Sequence, residues 1–253
     1  MTLQTKHVYM QLRPRSEAPK LHYNDMRPIA RPPVVDLSGK FSPVYDQGEL
    51  GSCTGNAWVG ALEYEENIQG EKFVQFSRLF VYFNERVLDN DTDQDAGAEI
   101  GDGIKTLTKW GVCAEQLWPY DVNQFTVKPS DAAYEDGLKH MALASAAVSQ
   151  TENAITHALA AGHPLVFGIT VFDSLESDAV AATGDVPMPD VNREQCLGGH
   201  AVVIVGYDYN KRTFKVRNSW GADWGDRGYA HFPFDYILNP DLADDFWILT
   251  RIS

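Results

Sequence analysis

Gln47-Gly48-Glu49-Leu50-Gly51-Ser52-Cys53-Thr54-Gly55-Asn56-Ala57 closes a lead-in rich in Pro and Gly and opens an apolar pattern at helical spacing. That pattern, Ala57, Trp58, Ala61, Leu62 and Ile68, predicts an amphipathic helix over 53–69, and Gly70 stands where a terminating glycine belongs. Ser52 suits the N-cap, which puts Cys53 in the first helical turn. The partial positive charge of a helix N-terminus favours a thiolate there, and a thiolate is the nucleophilic form of cysteine. A single cysteine is more often a small buried hydrophobe, so the nucleophile reading requires a base elsewhere in the chain.

A base stands near the other end. Gly198-Gly199-His200-Ala201-Val202-Val203-Ile204-Val205-Gly206-Tyr207 reads as a buried strand beginning at a histidine. A second strand runs from Phe214 to Asn218, followed by the glycine-punctuated Ser219-Trp220-Gly221 and Trp224-Gly225-Asp226-Arg227-Gly228-Tyr229. Adjacent strands could present His200 and Asn218 side by side. His200 lies 147 residues after Cys53 and Asn218 lies 165 after it.

On these blocks the chain resembles the papain-like (C1) cysteine peptidases, of the short-leader, disulfide-poor bacterial type. That family places its His and Asn about 130–150 residues after the Cys. The matching stretches are QGELGSC, GGHAVVIVGYD and VRNSWGADWGDRGY, with a weaker block from FSRLFVYFNER through GDGIKTLTKWGV to WPY. Leu50 stands where the family usually carries a disulfide cysteine, and Thr54 where it carries a tryptophan.

The resemblance implies an α+β fold of two subdomains, a helical half and a β-barrel-like half with the active-site cleft between them. The expected divisions are an N-terminal arm over 1–40, a mainly helical part over 41–150 carrying the nucleophile, and a mainly β part over 151–253 carrying His200 and Asn218. The implied chemistry is hydrolysis of peptide bonds through an acyl-enzyme. Cys53 attacks, His200 pairs with it and protonates the leaving amine, and Asn218 orients the imidazole. The Gln47 amide, with the Cys53 N–H, forms the oxyanion hole. Trp220 covers the His–Asn hydrogen bond. Gly101 and Gly199 are the positions expected to meet the substrate backbone. No metal or organic cofactor is required. An exopeptidase, amidase or acyl-transferase with the same Cys–His pair is the alternative activity, and a catalytically silent binding module is the third class. The other histidines, His7, His22, His140, His157, His163 and His231, and the cysteines Cys113 and Cys196, are assigned ordinary structural roles.

The resemblance implies a protein or peptide substrate, and composition argues against other partners. A net charge of −14 over 253 residues disfavours nucleic acid and anionic membranes. Residues 1–40 run the other way, with seven Lys/Arg against three Asp/Glu, so the remainder carries −18. A basic arm beside an acidic body is expected to lie on it. Pro14, Pro19, Pro28, Pro32 and Pro33 suit extended structure. Packing on the body is the first reading of this arm, and occupation of the cleft as a short inhibitory leader is the second. An acidic body also favours basic residues in a substrate. Three cysteines leave room for at most one disulfide beside the nucleophile, which points to a reducing compartment or a disulfide-poor lineage. The N-terminus lacks the apolar core of a signal peptide, and no run reaches a membrane span. A soluble monomer is expected, cytoplasmic or exported by a non-classical route. Asp89–Asp95 lacks the glycine and terminal Glu of a calcium loop and reads as a solvated turn. Residues 172–197 form a long connection placed at the cleft rim.

Overall fold

The computed structural model describes His7, Tyr9, Gln11, Leu12, His22, Tyr23, residues 29–70 and residues 72–252. Pro14, Pro19 and Pro28 of the expected extended arm lie outside these described residues. The arm contributes two short strands, β1 (Gln11–Leu12) and β2 (Val34–Asp36). The helical part holds α1 (Cys53–Gln69), α2 (Arg78–Asp89), a two-residue strand β3 (Ala98–Glu99) running into α3 (Ile100–Lys109), and α4 (Asp131–Gly137). Next come β4 (Ala142–Ala147), α5 (Glu152–Ala160), β5 (Leu165–Phe172) and α6 (Asp178–Thr183). The chain ends with β6 (Cys196–Asp208), β7 (Thr213–Arg217), β8 (Tyr229–Pro233), α7 (Phe234–Ile237) and β9 (Ala243–Ile252).

The helix ends follow local chemistry. Ser77 accepts from the Phe80 N–H at the start of α2, and Thr151 accepts from the Ala154 N–H at the start of α5. Gly70 closes α1 in the left-handed conformation at φ 82°, donating back to Asn67 and Glu66. Helix α1 differs from the amphipathic expectation. Every residue from Cys53 to Glu66 is buried, because the helix is packed by the sheet on one side and by α2 and α3 on the other. Two of its buried carboxylates, Glu63 and Glu66, have polar partners. Glu63 accepts from the Tyr45 hydroxyl at 2.7 Å and the Phe76 N–H at 3.0 Å, and Glu66 lies 3.0 Å from His140 Nδ1.

The sheet runs β4-β9-β5-β6-β7-β8, all antiparallel, with β2 added against the end of β6. It is open and does not close into the expected barrel. Alternate residues of β6 sort by face. Ala201, Val203 and Val205 join the core shared with α1 and α2, whereas Val202 and Ile204 join a second core with Phe167, Phe214 and Phe232. Strand β4 falls before residue 151, so the sheet begins inside the stretch expected to be helical. Its sequence, ALASAA, has little strand propensity, and the strand forms by pairing with β9. The 172–197 connection is structured through a 3-10 turn at Asp173–Glu176 and through α6. Among the described helices none is long and apolar enough to cross a membrane.

Candidate active site

The turn before α1 is braced from several directions. Ser52 holds the N-cap position, but its hydroxyl meets Tyr120 at 2.5 Å and accepts from the Asn56 amide at 3.1 Å instead of capping the helix. The Tyr120 hydroxyl also donates to the Gln47 carbonyl at 2.9 Å. Arg78 donates to the Asp46 carbonyl at 3.1 Å and to Asn56 Oδ1 at 3.0 Å. Asp95 accepts from the Gly51 N–H at 3.0 Å and from the Tyr82 hydroxyl. The acidic loop is thus more than a solvated turn, since its last member fixes the backbone two residues before Cys53. Asp95, Tyr120 and Arg78 were not foreseen in this role. Only the aromatic WPY block gave a sequence signal for one of them.

His200 and Asn218 meet as expected. His200 lies on β6 opposite Ile169 of β5, and Asn218 directly follows β7. His200 Nε2 lies 2.8 Å from Asn218 Oδ1, and that oxygen also accepts from the Ser219 N–H at 2.8 Å. Because Oδ1 is an acceptor, Nε2 carries the proton in the neutral ring, and Nδ1 keeps the lone pair. Nδ1 is buried and has no hydrogen-bond partner among the described residues. The ring is fully buried, and that burial pushes His200 down to about 4, against the Asn218 hydrogen bond, which acts upward. Trp220 stacks over the imidazole, with centroids 4.9 Å apart and planes 20° apart.

Cys53 is fully buried at the start of α1 and shares a core with Ala57, Ala201 and Val203. Trp220 belongs to the other core, so the site lies on the seam between the helices and the sheet. Gln47 is fully buried too. Its Oε1 accepts from the Ser219 hydroxyl at 2.6 Å, its Nε2 donates to the Leu50 carbonyl at 3.0 Å, and its own N–H donates to the Ser219 carbonyl at 2.9 Å. One amide hydrogen of Gln47 remains for another acceptor. All three cysteines are free. Cys113 is buried, and desolvation pushes its thiol up to about 12, which suppresses thiolate formation. Among the described residues no group of three His, Cys, Asp or Glu could hold a metal ion.

The arm reaches this site. His7 lies flat on Trp220, with centroids 3.9 Å apart and planes 5° apart. Tyr9 packs edge-on against His200 at 6.1 Å and against Trp220 at 6.0 Å. Both arm residues bond to Glu176 of the 3-10 turn, His7 through Nδ1 at 3.0 Å and Tyr9 through its hydroxyl. A Cβ at Gly198 would come within 2.7 Å of the Tyr9 Cβ, so only glycine admits the arm this closely. Farther along, β1 pairs in parallel with β3, Gln11 opposite Ala98 and Leu12 opposite Glu99. Gly101 instead lies in the first turn of α3, and Gly199 pairs with Thr170 inside the sheet. The backbone met by an extended segment is therefore Ala98–Glu99 on one side and Gly198 on the other. His7, assigned an ordinary role from sequence, is a cleft residue.

The papain family cysteine protease model matches residues 32–236. An uncharacterised peptidase C1-like protein of Acanthamoeba polyphaga mimivirus is 44% identical over 229 residues, covering 87% of this chain and 73% of that protein. Cysteine proteinase 2 of Leishmania pifanoi is 27% identical over 83% of this chain, which spans 47% of that protein's length. The crystal structure of xylellain, a cysteine protease from Xylella fastidiosa, superposes with a TM-score of 0.91 at 36% identity, covering 100% of this chain and 99% of that one.

Proposed function

From the premise that this chain belongs to the papain family of cysteine proteases, we propose that Cys53, His200, Asn218 and Gln47 carry its cysteine-type peptidase activity. In this mechanism the Cys53 proton passes to His200 Nδ1, and the thiolate attacks the peptide carbonyl. The oxyanion is met by the free Gln47 amide hydrogen and the Cys53 N–H. His200 then delivers the proton to the leaving amine, and water hydrolyses the thioester. Asn218 keeps Nε2 protonated and so aims the Nδ1 lone pair at the sulfur. The observation that carries this reading is the 2.8 Å bond from Nε2 to Asn218 Oδ1, together with a buried, unpartnered Nδ1.

The arm in this proposal is a resident inhibitor. Trp220 stacks on His200, the proton donor to the leaving amine, so Trp220 marks the leaving-group side of the cleft. A substrate runs from its acyl side to its leaving-group side in the N-to-C direction. The arm passes Trp220 at residue 7 and the Ala98–Glu99 edge at residues 11–12, which is the opposite direction. A reversed chain fills the cleft without presenting a carbonyl in the orientation for attack. Ala98–Glu99 and Gly198 are then the backbone positions that a substrate takes over when the arm leaves.

The test is peptide hydrolysis by the full chain with His7→Ala and Tyr9→Ala, beside the same chain with Cys53→Ala, with mass-spectrometric mapping of an electrophilic thiol probe. Hydrolysis should vanish with Cys53→Ala, and the probe should sit on Cys53. Hydrolysis that survives that substitution, or labelling confined to Cys113 or Cys196, would refute the assignment.

A further inference from the structure

The contacts of the arm describe the chemistry of the surface beneath it. His7 does two things at once. Its ring lies parallel to Trp220 at 3.9 Å, and its Nδ1 lies 3.0 Å and 3.1 Å from the two oxygens of Glu176. Glu176 is itself largely shielded, with 11% of its side chain exposed, and it also accepts from the Tyr9 hydroxyl. An indole face and a carboxylate are therefore placed so that one flat, cationic group can touch both. Withdrawal of the arm removes the His7 and Tyr9 contacts from Glu176 and uncovers the face of Trp220 that His7 occupies.

We infer that Trp220 and Glu176 form a specificity subsite for a cationic side chain, arginine above all, on the leaving-group side of the scissile bond. This rests on the peptidase reading above and adds a substrate class to it. Arginine fits better than lysine because its guanidinium is planar. It can stack on the indole while two of its N–H groups reach a carboxylate, whereas an ammonium makes a point contact. Histidine fits when protonated, as His7 does by shape. An acidic side chain is repelled by Glu176 and has no donor for it. The residue is invisible to local pattern because Glu176 stands in a turn of the 172–197 connection, far in sequence from both Trp220 and the arm.

The experiment uses the full chain with His7→Ala and Tyr9→Ala, with and without Glu176→Gln. The substrates are internally quenched peptides that differ only in the residue after the cleaved bond, which is Arg, Lys, Ala or Glu, with the cut confirmed by mass spectrometry. A short peptide amide with a chromophoric leaving group has no side chain there, so it serves as the reference within each variant. For the chain that retains Glu176, kcat/KM relative to this reference should be about tenfold or more higher for Arg than for Glu, with Lys between. With Glu176→Gln that ratio should fall to within about twofold of unity. Equal rates for Arg and Glu in the chain that retains Glu176 overturn the inference, whatever Glu176→Gln does to folding. So does a preference that Glu176→Gln leaves intact. If the chromophoric substrate itself is not cleaved, the peptidase reading and the subsite fall together, and the reference reaction alone reveals it.

Discussion

Replacement of Glu85 by Gln should change how stability depends on pH, and the size of that change follows from the surroundings of one carboxyl. Glu85 lies on α2, fully buried against α1 and α3. Its Oε2 accepts from the Thr54 hydroxyl at 2.7 Å, and its Oε1 has no partner among the described residues. Burial pushes the carboxyl from an ordinary 4.5 up to about 8, with nearby Asp102 adding to the rise while the Thr54 bond and Arg86 oppose it. The folded protein therefore holds a proton at Glu85 that the unfolded chain releases near pH 4.5. Below that pH both states are protonated, and no penalty applies. Between pH 4.5 and 8 stability falls by about 1.4 kcal/mol per pH unit, and above pH 8 the loss levels off near ~5 kcal/mol. Glutamine keeps an oxygen for Thr54 and cannot ionise. The assay is equilibrium denaturant unfolding from pH 5 to pH 9 for both proteins, each carrying Cys53→Ala to prevent self-digestion. The stability of Glu85→Gln minus that of Glu85 should climb through this range and flatten above pH 8. A difference constant from pH 5 to pH 9 would show that Glu85 is already ionised in the fold, and the argument from desolvation would be wrong.

Three further outcomes are expected. Gln47→Ala should lower kcat by about 10²–10³ with little change in KM, because the lost donor faces charge that exists only in the transition state; a rise in KM alone would place Gln47 outside the oxyanion site. The full chain with His7→Ala and Tyr9→Ala should hydrolyse peptides at least tenfold faster than the unaltered chain, through loss of the Trp220 and Glu176 contacts, and equal initial rates before any processing would reject the arm as an inhibitor. Asp95→Ala should destabilise the fold by about 1–3 kcal/mol through the abandoned Gly51 N–H and should also lower kcat, checked by thermal unfolding and hydrolysis on the same preparation.

The proposed catalytic residues were legible because each carries a local signature. Cys53 follows a Gly-Ser turn at a helix start, His200 begins an unbroken apolar strand, and Asn218 ends another before a run of glycines and tryptophans. The strands β6 and β7 were legible as apolar runs, whereas β4 was not, because pairing with β9 overrides the small residues of ALASAA. The peptide-pairing edge was misplaced for a related reason. GDG marks a glycine-rich approach, but the helix already begins at Ile100, so Gly101 is helical and the strand that pairs with the arm is Ala98–Glu99. Glu176, Asp95 and His7 had no local signature. Each acts through a partner distant in sequence, and neither periodicity nor spacing encodes such pairs.

These distant contacts bear on the central proton transfer. The imidazole proposed to take the Cys53 proton is held down to about 4, and the first cause is burial. Part of that burial is Tyr9 packed against His200, and a charge on His7 would push the imidazole further down. Glu176 pulls the other way, yet while the arm is seated its carboxylate is engaged by His7 and Tyr9. Under the proposed mechanism the arm would therefore act on the base as well as on access. Tyr9 covers one side of the ring and helps to keep it in a dry setting where the neutral form is favoured. Departure of the arm admits water and a substrate to the same surface, and it releases Glu176 from two contacts of the closed state. Both changes would raise the affinity of His200 for a proton, so in the proposed mechanism opening the cleft and arming the nucleophile are one event.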